Sequence, residues 1–358
     1  MRVLEIGPSS TGSKGGMATV IQGISESKEL NKIHDIDLFD SYIDGNIFTR
    51  IIFSIYSYFK FYTVYKKYDL FHIHMASYGS SFRKMYYIKL LKKKNKKVIV
   101  HIHGAKYLEF YNSLKKSKQM YITENLNKSD MVIALSEGWK SEFETQLNLK
   151  NVYVLNNGIN TEDYERANSD CIENKYKFLF LGRLGKRKGA YDLLSAIEEL
   201  SKEGVNVTCY MAGDGEIDKF RKIISEKKLE DNIKIIGWID KEEKIELLKN
   251  ISTLILPSYN EGLPMAILEG MACGKAIIST NVGSIPEVVI QDQNGIIVEP
   301  GNIEQIKNAI KQVISNDEKL INMSLNNIDA IDKNYSRKKM HETLIKYFKY
   351  VKEKDTCK

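Results

Sequence analysis

Long apolar runs are missing from this chain. No stretch approaches the roughly 18 uninterrupted hydrophobic residues that a membrane-crossing helix requires, so an anchor of that kind is not expected. Cysteine is scarce: Cys171, Cys209, Cys273 and Cys357 are scattered, with no Cys-x-x-Cys pair. That spacing indicates neither a zinc ribbon nor a disulfide framework. With only 5 prolines among 358 residues, and 43% hydrophobic against 28% charged residues, the composition is that of a folded globular chain rather than a disordered or fibrous one. Tandem repeats are absent, and the one low-complexity tract is Lys92-Lys-Lys-Asn-Lys-Lys97. The opening Met1-Arg-Val-Leu-Glu-Ile-Gly7 reads as a strand entering a glycine loop rather than a charged leader with a long apolar core, and a cytoplasmic location is the expectation.

What is present is an alternation of short apolar, β-branched runs with helical stretches, the pattern of parallel sheets covered by helices. Twelve strands are predicted. The first six centre on Val3–Ile6, Asp37–Phe39, Leu70–Ile73, Val98–Ile102, Met131–Ala134 and Val152–Leu155. The second six centre on Phe178–Leu181, Val207–Met211, Ile233–Ile236, Leu254–Leu256, Ala276–Ser279 and Ile296–Val298. Two Rossmann-like halves follow, residues 1–165 and 166–334, joined through the polar, aperiodic segment from Thr161 to Lys175. A final helical stretch covers 335–358.

Charge is unevenly spread. The net charge is +7, yet residues 50 to 118 hold 16 Lys and Arg against only Asp69 and Glu109, together with 16 of the 36 aromatic residues. A basic, aromatic surface suits nucleic acid or anionic lipid. No helix-turn-helix, zinc-finger or RNP-type motif accompanies it, so a membrane surface is the preferred partner, with Arg83, Lys84, Lys89, Lys92, Lys93, Lys94, Lys96 and Lys97 as the expected cations. The alternative is a solvated face over core tyrosines.

Two segments of the second half carry chemistry. Glu261-Gly-Leu-Pro-Met-Ala-Ile-Leu-Glu269 places two carboxylates across a strand-loop-helix junction. Pro264 falls where the first helical position tolerates proline, and side chains lean toward a helix N-terminus, so both acids should approach one mouth whose free N–H groups favour a diphosphate. Lys177-Phe-Leu-Phe-Leu-Gly-Arg-Leu184 runs into Gly-Lys-Arg-Lys-Gly189, placing Arg183 and Lys188 beyond a strand's carboxyl end, where open α/β sheets bind ligands. Exposed helix and loop charges are the plain alternatives. In the first half, Gly12-Ser-Lys-Gly-Gly-Met17 allows close backbone approach to a ligand, but its spacing after Gly7 is wrong for G-x-G-x-x-G, which disfavours a nicotinamide enzyme. The pairs His72-Ile-His74 and His101-Ile-His103 each face one side of a strand. With no acidic or thiol partner evident they read as a satisfied histidine layer at the sheet edge rather than a metal site. Asp35-Ile-Asp37 lies at a strand start, the wrong end for a ligand, and reads as surface charge.

Together these motifs resemble the retaining glycosyltransferases of family four, a group 1 family with the GT-B fold. The resemblance extends through Asn157-Gly-Ile159, Ala212-Gly-Asp-Gly215, Gly237-Trp238, Ala272-Cys-Gly-Lys-Ala-Ile-Ile278, Gly283-Ser-Ile-Pro-Glu287 and Asn294-Gly295. It is dense in the second half and thin between Asp40 and Lys97, and Leu263 replaces the family's usual phenylalanine. It implies two Rossmann-like domains facing each other across a cleft, the first binding the acceptor, the second a nucleotide sugar, with the C-terminal helix crossing back to the first. It implies that Gly16, Arg183, Lys188, Leu263, Pro264 and Glu269 bind the donor, that His103 and Glu261 flank the transferred sugar as catalytic residues, and that no metal or cofactor is needed. The expected donor is a UDP-sugar and the acceptor a glycan or lipid-linked glycan, in bacterial surface polysaccharide synthesis at the inner face of the membrane. Rival readings are a sugar-nucleotide epimerase of the same architecture and a catalytically silent subunit on membrane or nucleic acid.

Overall fold

Residues with β-branched and large apolar side chains form twelve strands arranged as two parallel six-stranded sheets, in a computed structural model that describes residues 1–9, 16–164 and 170–354. All twelve predicted strands are present. The first sheet comprises β1 (Arg2–Pro8), β2 (Asp35–Tyr42), β3 (Leu70–Met75), β4 (Lys97–Ile102), β5 (Met131–Ala134) and β6 (Val152–Val154), in spatial order β2-β1-β3-β4-β5-β6. The second comprises β7 (Lys177–Leu181), β8 (Thr208–Ala212), β9 (Ile233–Gly237), β10 (Thr253–Leu256), β11 (Ala276–Thr280) and β12 (Gly295–Val298), in order β12-β11-β10-β7-β8-β9. Every residue of β3 and of β10 is buried, as expected of central parallel strands covered on both faces.

The chain divides into two compact units, Met1–Gly158 with Arg337–Lys358, and Ile159–Ser336. The sequence places the first boundary later, at 165/166, a point within residues 165–169 that lie outside the described set. The earlier division has a local cause. The Ile159 amide donates to the Tyr335 carbonyl at 2.8 Å, and Ile159 bridges Ser336, so the chain enters and leaves the second unit side by side.

In the first unit, the C-terminal helix Arg337–Glu353 buries Met340, His341, Leu344, Phe348 and Val351. Its Phe348 ring stands edge-on to His34 at 5.6 Å and to His72 at 5.8 Å between centroids. A different helix, Ile47–Val64, starts on an Asn46 cap that accepts from the Thr49 amide at 2.9 Å. Of its 18 residues only Ser57 and Phe61 are buried, Phe61 sitting edge-on to Tyr87 and Phe39. Its outer surface exposes Ile47, Phe48, Ile51, Ile52, Ile55 and Phe59. Scattered exposed apolar residues are ordinary, but a contiguous set on one helix marks a surface that meets something else.

Candidate functional site

The second unit concentrates its polar chemistry at the carboxyl ends of β7 and β10, as the order of an open parallel sheet predicts. Beyond β7 the chain passes Arg183 and makes a short turn, Lys186–Lys188, closed by Gly189 at φ 69°. A side chain there is excluded, because a Cβ would lie 1.9 Å from the Pro257 carbonyl oxygen. This close approach brings the turn against the loop after β10. Lys188 Nζ meets Glu261 Oε1 at 2.5 Å, and the Ser258 hydroxyl donates to the same oxygen at 2.7 Å. Glu261 is only 6% exposed, so the pair is desolvated enough for its charges to interact strongly. Gly283, at φ 58°, packs behind the loop, where a Cβ would stand 2.0 Å from the Glu261 carbonyl oxygen.

The remaining predicted residues distribute around this pair. Arg183 is exposed and donates from Nη1 to Asp214 Oδ2 at 2.9 Å. The two cations therefore do not form one isolated pair, since each is neutralised by its own carboxylate. Leu263 is buried, and Pro264 occupies the cap of the Met265–Ala272 helix rather than its first turn, a one-residue shift from the expected position. Glu269 lies one turn in, buried, where it accepts from Lys244 Nζ at 2.5 Å. It also hydrogen-bonds Tyr164, whose phenol burial and this carboxylate together push well above the ordinary range. Lys244 and Tyr164 were not singled out from the sequence, because their partnership with Glu269 spans 25 and 105 residues. Cys273, beside this site, is buried with its thiol pushed up to about 12, which removes it as a nucleophile.

In the first unit the histidines are not a satisfied layer at a sheet edge. His72 and His74 lie on β3 and His101 on β4, with His103 just past the end of β4, in the middle of the sheet, and an acid accompanies them after all. Register pairs Glu5 of β1 with His72 of β3, and His74 with His101 of β4. Glu5 accepts from His74 Nε2 at 2.7 Å and contacts His72 Nδ1 at 2.8 Å, with all three side chains fully buried. His74 Nδ1 then lies 2.9 Å from His103 Nε2. Burial and the neighbouring imidazoles hold His74 and His101 well below their ordinary values and His103 down to about 3, so these rings are neutral near pH 7. With a neutral His74 donating to Glu5, its Nδ1 accepts, and His103 must donate from Nε2. The consequence is an acceptor lone pair at His103 Nδ1. The ligand atoms of His72, His74 and His101 lie within 4.8 Å of one another, which is the group among the described residues able to hold a cation. His72 Nε2 and both nitrogens of His101 have no hydrogen-bond partner among the described residues.

Gly16 begins the Gly16–Ser25 helix and, with His74, lines a cavity. The preceding Gly12 and Gly15 of the predicted loop lie outside the described residues. The proposed membrane cations fare differently from expectation. Lys84 is buried, Arg83 stacks on the Tyr42 ring, Lys92 pairs with Asp130 at 2.7 Å, Lys97 lies 4.0 Å from the same carboxylate, and Lys96 donates to the Tyr68 carbonyl. Of the eight, Lys89, Lys93 and Lys94 stay exposed. The reason is amphipathic wrapping: long cationic side chains on the Gly79–Lys93 helix and its turn are used to pin it to the sheet. Asp35 and Asp37 lie at the start of β2 and are exposed, Asp37 accepting from the Tyr68 hydroxyl.

Comparison with known proteins agrees with this architecture. The family described as Glycosyl transferases group 1 matches residues 161–329, and Glycosyltransferase Family 4 matches residues 34–163. An uncharacterised glycosyltransferase of Methanocaldococcus jannaschii is 33% identical over 231 residues, 63% of this chain and 61% of that protein. An uncharacterised protein in the cps region of Klebsiella pneumoniae is 29% identical, with 80% and 83% of the two chains covered. The amylovoran biosynthesis glycosyltransferase AmsK of Erwinia amylovora is 23% identical over 66% of this chain and 59% of its own. The chain thus spans about three fifths of the first and third of these relatives and over four fifths of the second. Among solved structures, sucrose-phosphate synthase of Thermosynechococcus elongatus superposes with TM-score 0.81 at 15% identity over 98% of both chains. Anabaena HepE in complex with UDP superposes with TM-score 0.80 at 18% identity over 98% of this chain and 100% of its own.

Proposed function

Because the chain belongs to the group 1 glycosyltransferases and has the GT-B fold, we propose that it is a retaining enzyme that moves a sugar from a nucleotide diphosphate onto a glycan or lipid-linked glycan. The observation that carries this reading is the buried Lys188–Glu261 pair at the sheet's carboxyl end, one turn of chain from Arg183. A diphosphate arriving there meets two cations already oriented by carboxylate partners, Lys188 largely desolvated and Arg183 exposed. Glu269, held by Lys244 and Tyr164, is offered to the ribose hydroxyls. Backbone at Leu263 and Pro264 and the Gly16 amide complete the donor contacts. Glu261 and His103 Nδ1 accept from hydroxyls of the transferred sugar.

With no enzymic nucleophile in this assignment, the acceptor hydroxyl attacks the anomeric carbon on the face from which the phosphate leaves. The new C–O bond forms as the bond to the phosphate oxygen breaks, and that oxygen takes the acceptor's proton. Arg183 and Lys188 carry the developing charge, a role a divalent ion would otherwise fill. A UDP-sugar is the preferred donor, supported by the UDP bound to the HepE relative. Surface polysaccharide assembly is supported by the cps-region and amylovoran relatives. The exposed apolar face of the Ile47–Val64 helix supports peripheral attachment to the membrane's inner face, and no described helix is long and apolar enough to cross it.

The test is a thermal-shift screen of nucleotide sugars followed by transfer with the best of them. A ligand at 100 times its Kd adds about 2.7 kcal/mol of stability, which is easily seen. The product's anomeric configuration by NMR should match that of the donor. An inverted product removes the proposed mechanism, and an isomerised free donor formed without acceptor assigns the chain as an epimerase.

A further inference from the structure

The first unit contains a cavity of about 850 Å³ at the ends of β1, β2 and β3, lined from Pro8, Ser41, Tyr42 and His74 outward. Strand order places β1 between β2 and β3, so connections leave its two sides in opposite directions. That makes this cavity the sheet's topological switch point.

Its floor is cationic. Lys84 is 2% exposed, and its ammonium is held by the Ile6 carbonyl and the Ser41 hydroxyl, with no carboxylate partner among the described residues. Arg83 lies beside it, its Nε buried and without a hydrogen-bond partner among the described residues, and Arg50 faces the same space. The lone carboxylate among the lining residues is Asp44, which is exposed. Leaving an ammonium buried without an anion is costly, and burial beside Arg83 lowers the Lys84 pKa well below its ordinary value. An anion in the cavity reverses that cost.

Its wall is apolar. Ile47, Ile51 and Ile55 recur every four residues along the Ile47–Val64 helix, line the cavity, and are each more than half exposed. Cations and an apolar stripe lining one cavity match a molecule with an anionic head and a hydrocarbon tail. A donor nucleotide has no such tail.

We propose that this cavity seats the acceptor's linkage: a diphosphate ester joining the saccharide to a long hydrocarbon chain, with Lys84 and Arg83 on the diphosphate and the chain along Ile47, Ile51 and Ile55. The proposal rests on the glycosyltransferase reading and names the acceptor class for it.

The full-length protein is titrated calorimetrically with geranyl diphosphate, geraniol and inorganic diphosphate. Geranyl diphosphate should bind at least tenfold more tightly than either fragment. Arg83→Gln should weaken it at least tenfold without lowering the melting temperature or the affinity for UDP, and Ile51→Ser should weaken it severalfold. Lys84→Gln tests the buried cation where the variant folds, and Arg83→Gln keeps the test valid where it does not. The control Lys93→Gln with Lys94→Gln removes exposed charge away from the cavity and should change nothing. Inorganic diphosphate binding as tightly as the geranyl ester would show a free-anion site and overturn the proposal. So would geraniol binding equally well, displacement of geranyl diphosphate by UDP, or an effect of the control equal to that of Arg83→Gln. None of these titrations needs a sugar nucleotide, so a failure of the transferase reading, seen as no donor binding and no transfer, is a separate result.

Discussion

Lys188 and Glu261 hold each other in a nearly buried contact, so removing either leaves the other as an uncompensated charge. On the proposed assignment the lysine also stabilises a leaving diphosphate. Lys188→Ala and Arg183→Ala should each lower turnover by about 100-fold or more, since losing a charge-stabilising donor costs roughly 3 to 4 kcal/mol in the transition state. Arg183, exposed and paired only at the surface, should do so with no loss of folding stability. Near-normal turnover of Arg183→Ala at saturating donor would remove it from the site. A second residue-scale expectation concerns Glu5, which touches no proposed substrate and acts through His74 on His103. Glu5→Gln frees the amide to donate as well as accept, so the order of donors along the three groups is no longer set. Turnover should drop by about 10-fold or more with donor KM nearly unchanged, and its pH profile should shift, because the His103 tautomer is no longer imposed. A variant altered only in melting temperature would make Glu5 merely structural.

At the scale of the element, the proposed membrane attachment rests on the exposed apolar face of the Ile47–Val64 helix. Full burial of an Ile or Phe contributes about 1.5 to 3 kcal/mol, against about 1 kcal/mol for a lysine near anionic lipid. With most of the expected cations tied to the protein, the apolar face outweighs the lysine tract. Replacing Phe48, Ile52 and Phe59 together by Ser should abolish co-sedimentation with anionic vesicles, whereas Lys93→Gln with Lys94→Gln should weaken it only modestly and chiefly at low salt. The reverse ranking would return the role to the lysines. Wild-type protein that never sediments would leave this face to some other partner.

At the scale of the whole molecule, neutral buried histidines make folding sensitive to acid. His34, His74, His101, His103 and His341 all have folded values below 6.5, with His103 near 3 and His341 near 4, set first by burial in every case. The unfolded chain takes up protons at these sites as pH falls through about 6.5 while the folded chain refuses them. Stability should therefore be full above that pH and decline steadily below it, before the carboxylates titrate. Urea midpoints measured from pH 8 to 4.5 should show the decline; a flat profile from 7 to 5 would contradict it. Turnover should also persist in excess chelator, since Arg183 and Lys188 are assigned the metal's role. Loss on chelation, restored by a divalent ion and accompanied by bound metal at His72, His74 and His101, would replace that assignment.

Much of this architecture was legible in the sequence because it is set by local pattern. Apolar runs of four to six residues bounded by glycine and polar turns name strands, and the positions of Arg183, Lys188, Glu261 and Glu269 follow from which end of a strand or helix each motif occupies. Which residues partner them is a different matter, governed by strand order and register. Glu5 reaches His72 and His74 only because β1 lies beside β3, a pairing across 67 and 69 residues that no spacing rule reports. The basic window was visible as composition, but composition does not record direction. Folding turned Lys84 inward, pinned Lys92 and Lys97 to Asp130, and left Ile47, Phe48, Ile51, Ile52, Ile55 and Phe59 of one helix facing out, because in a parallel sheet each helix is oriented by what it covers and not by its own charge.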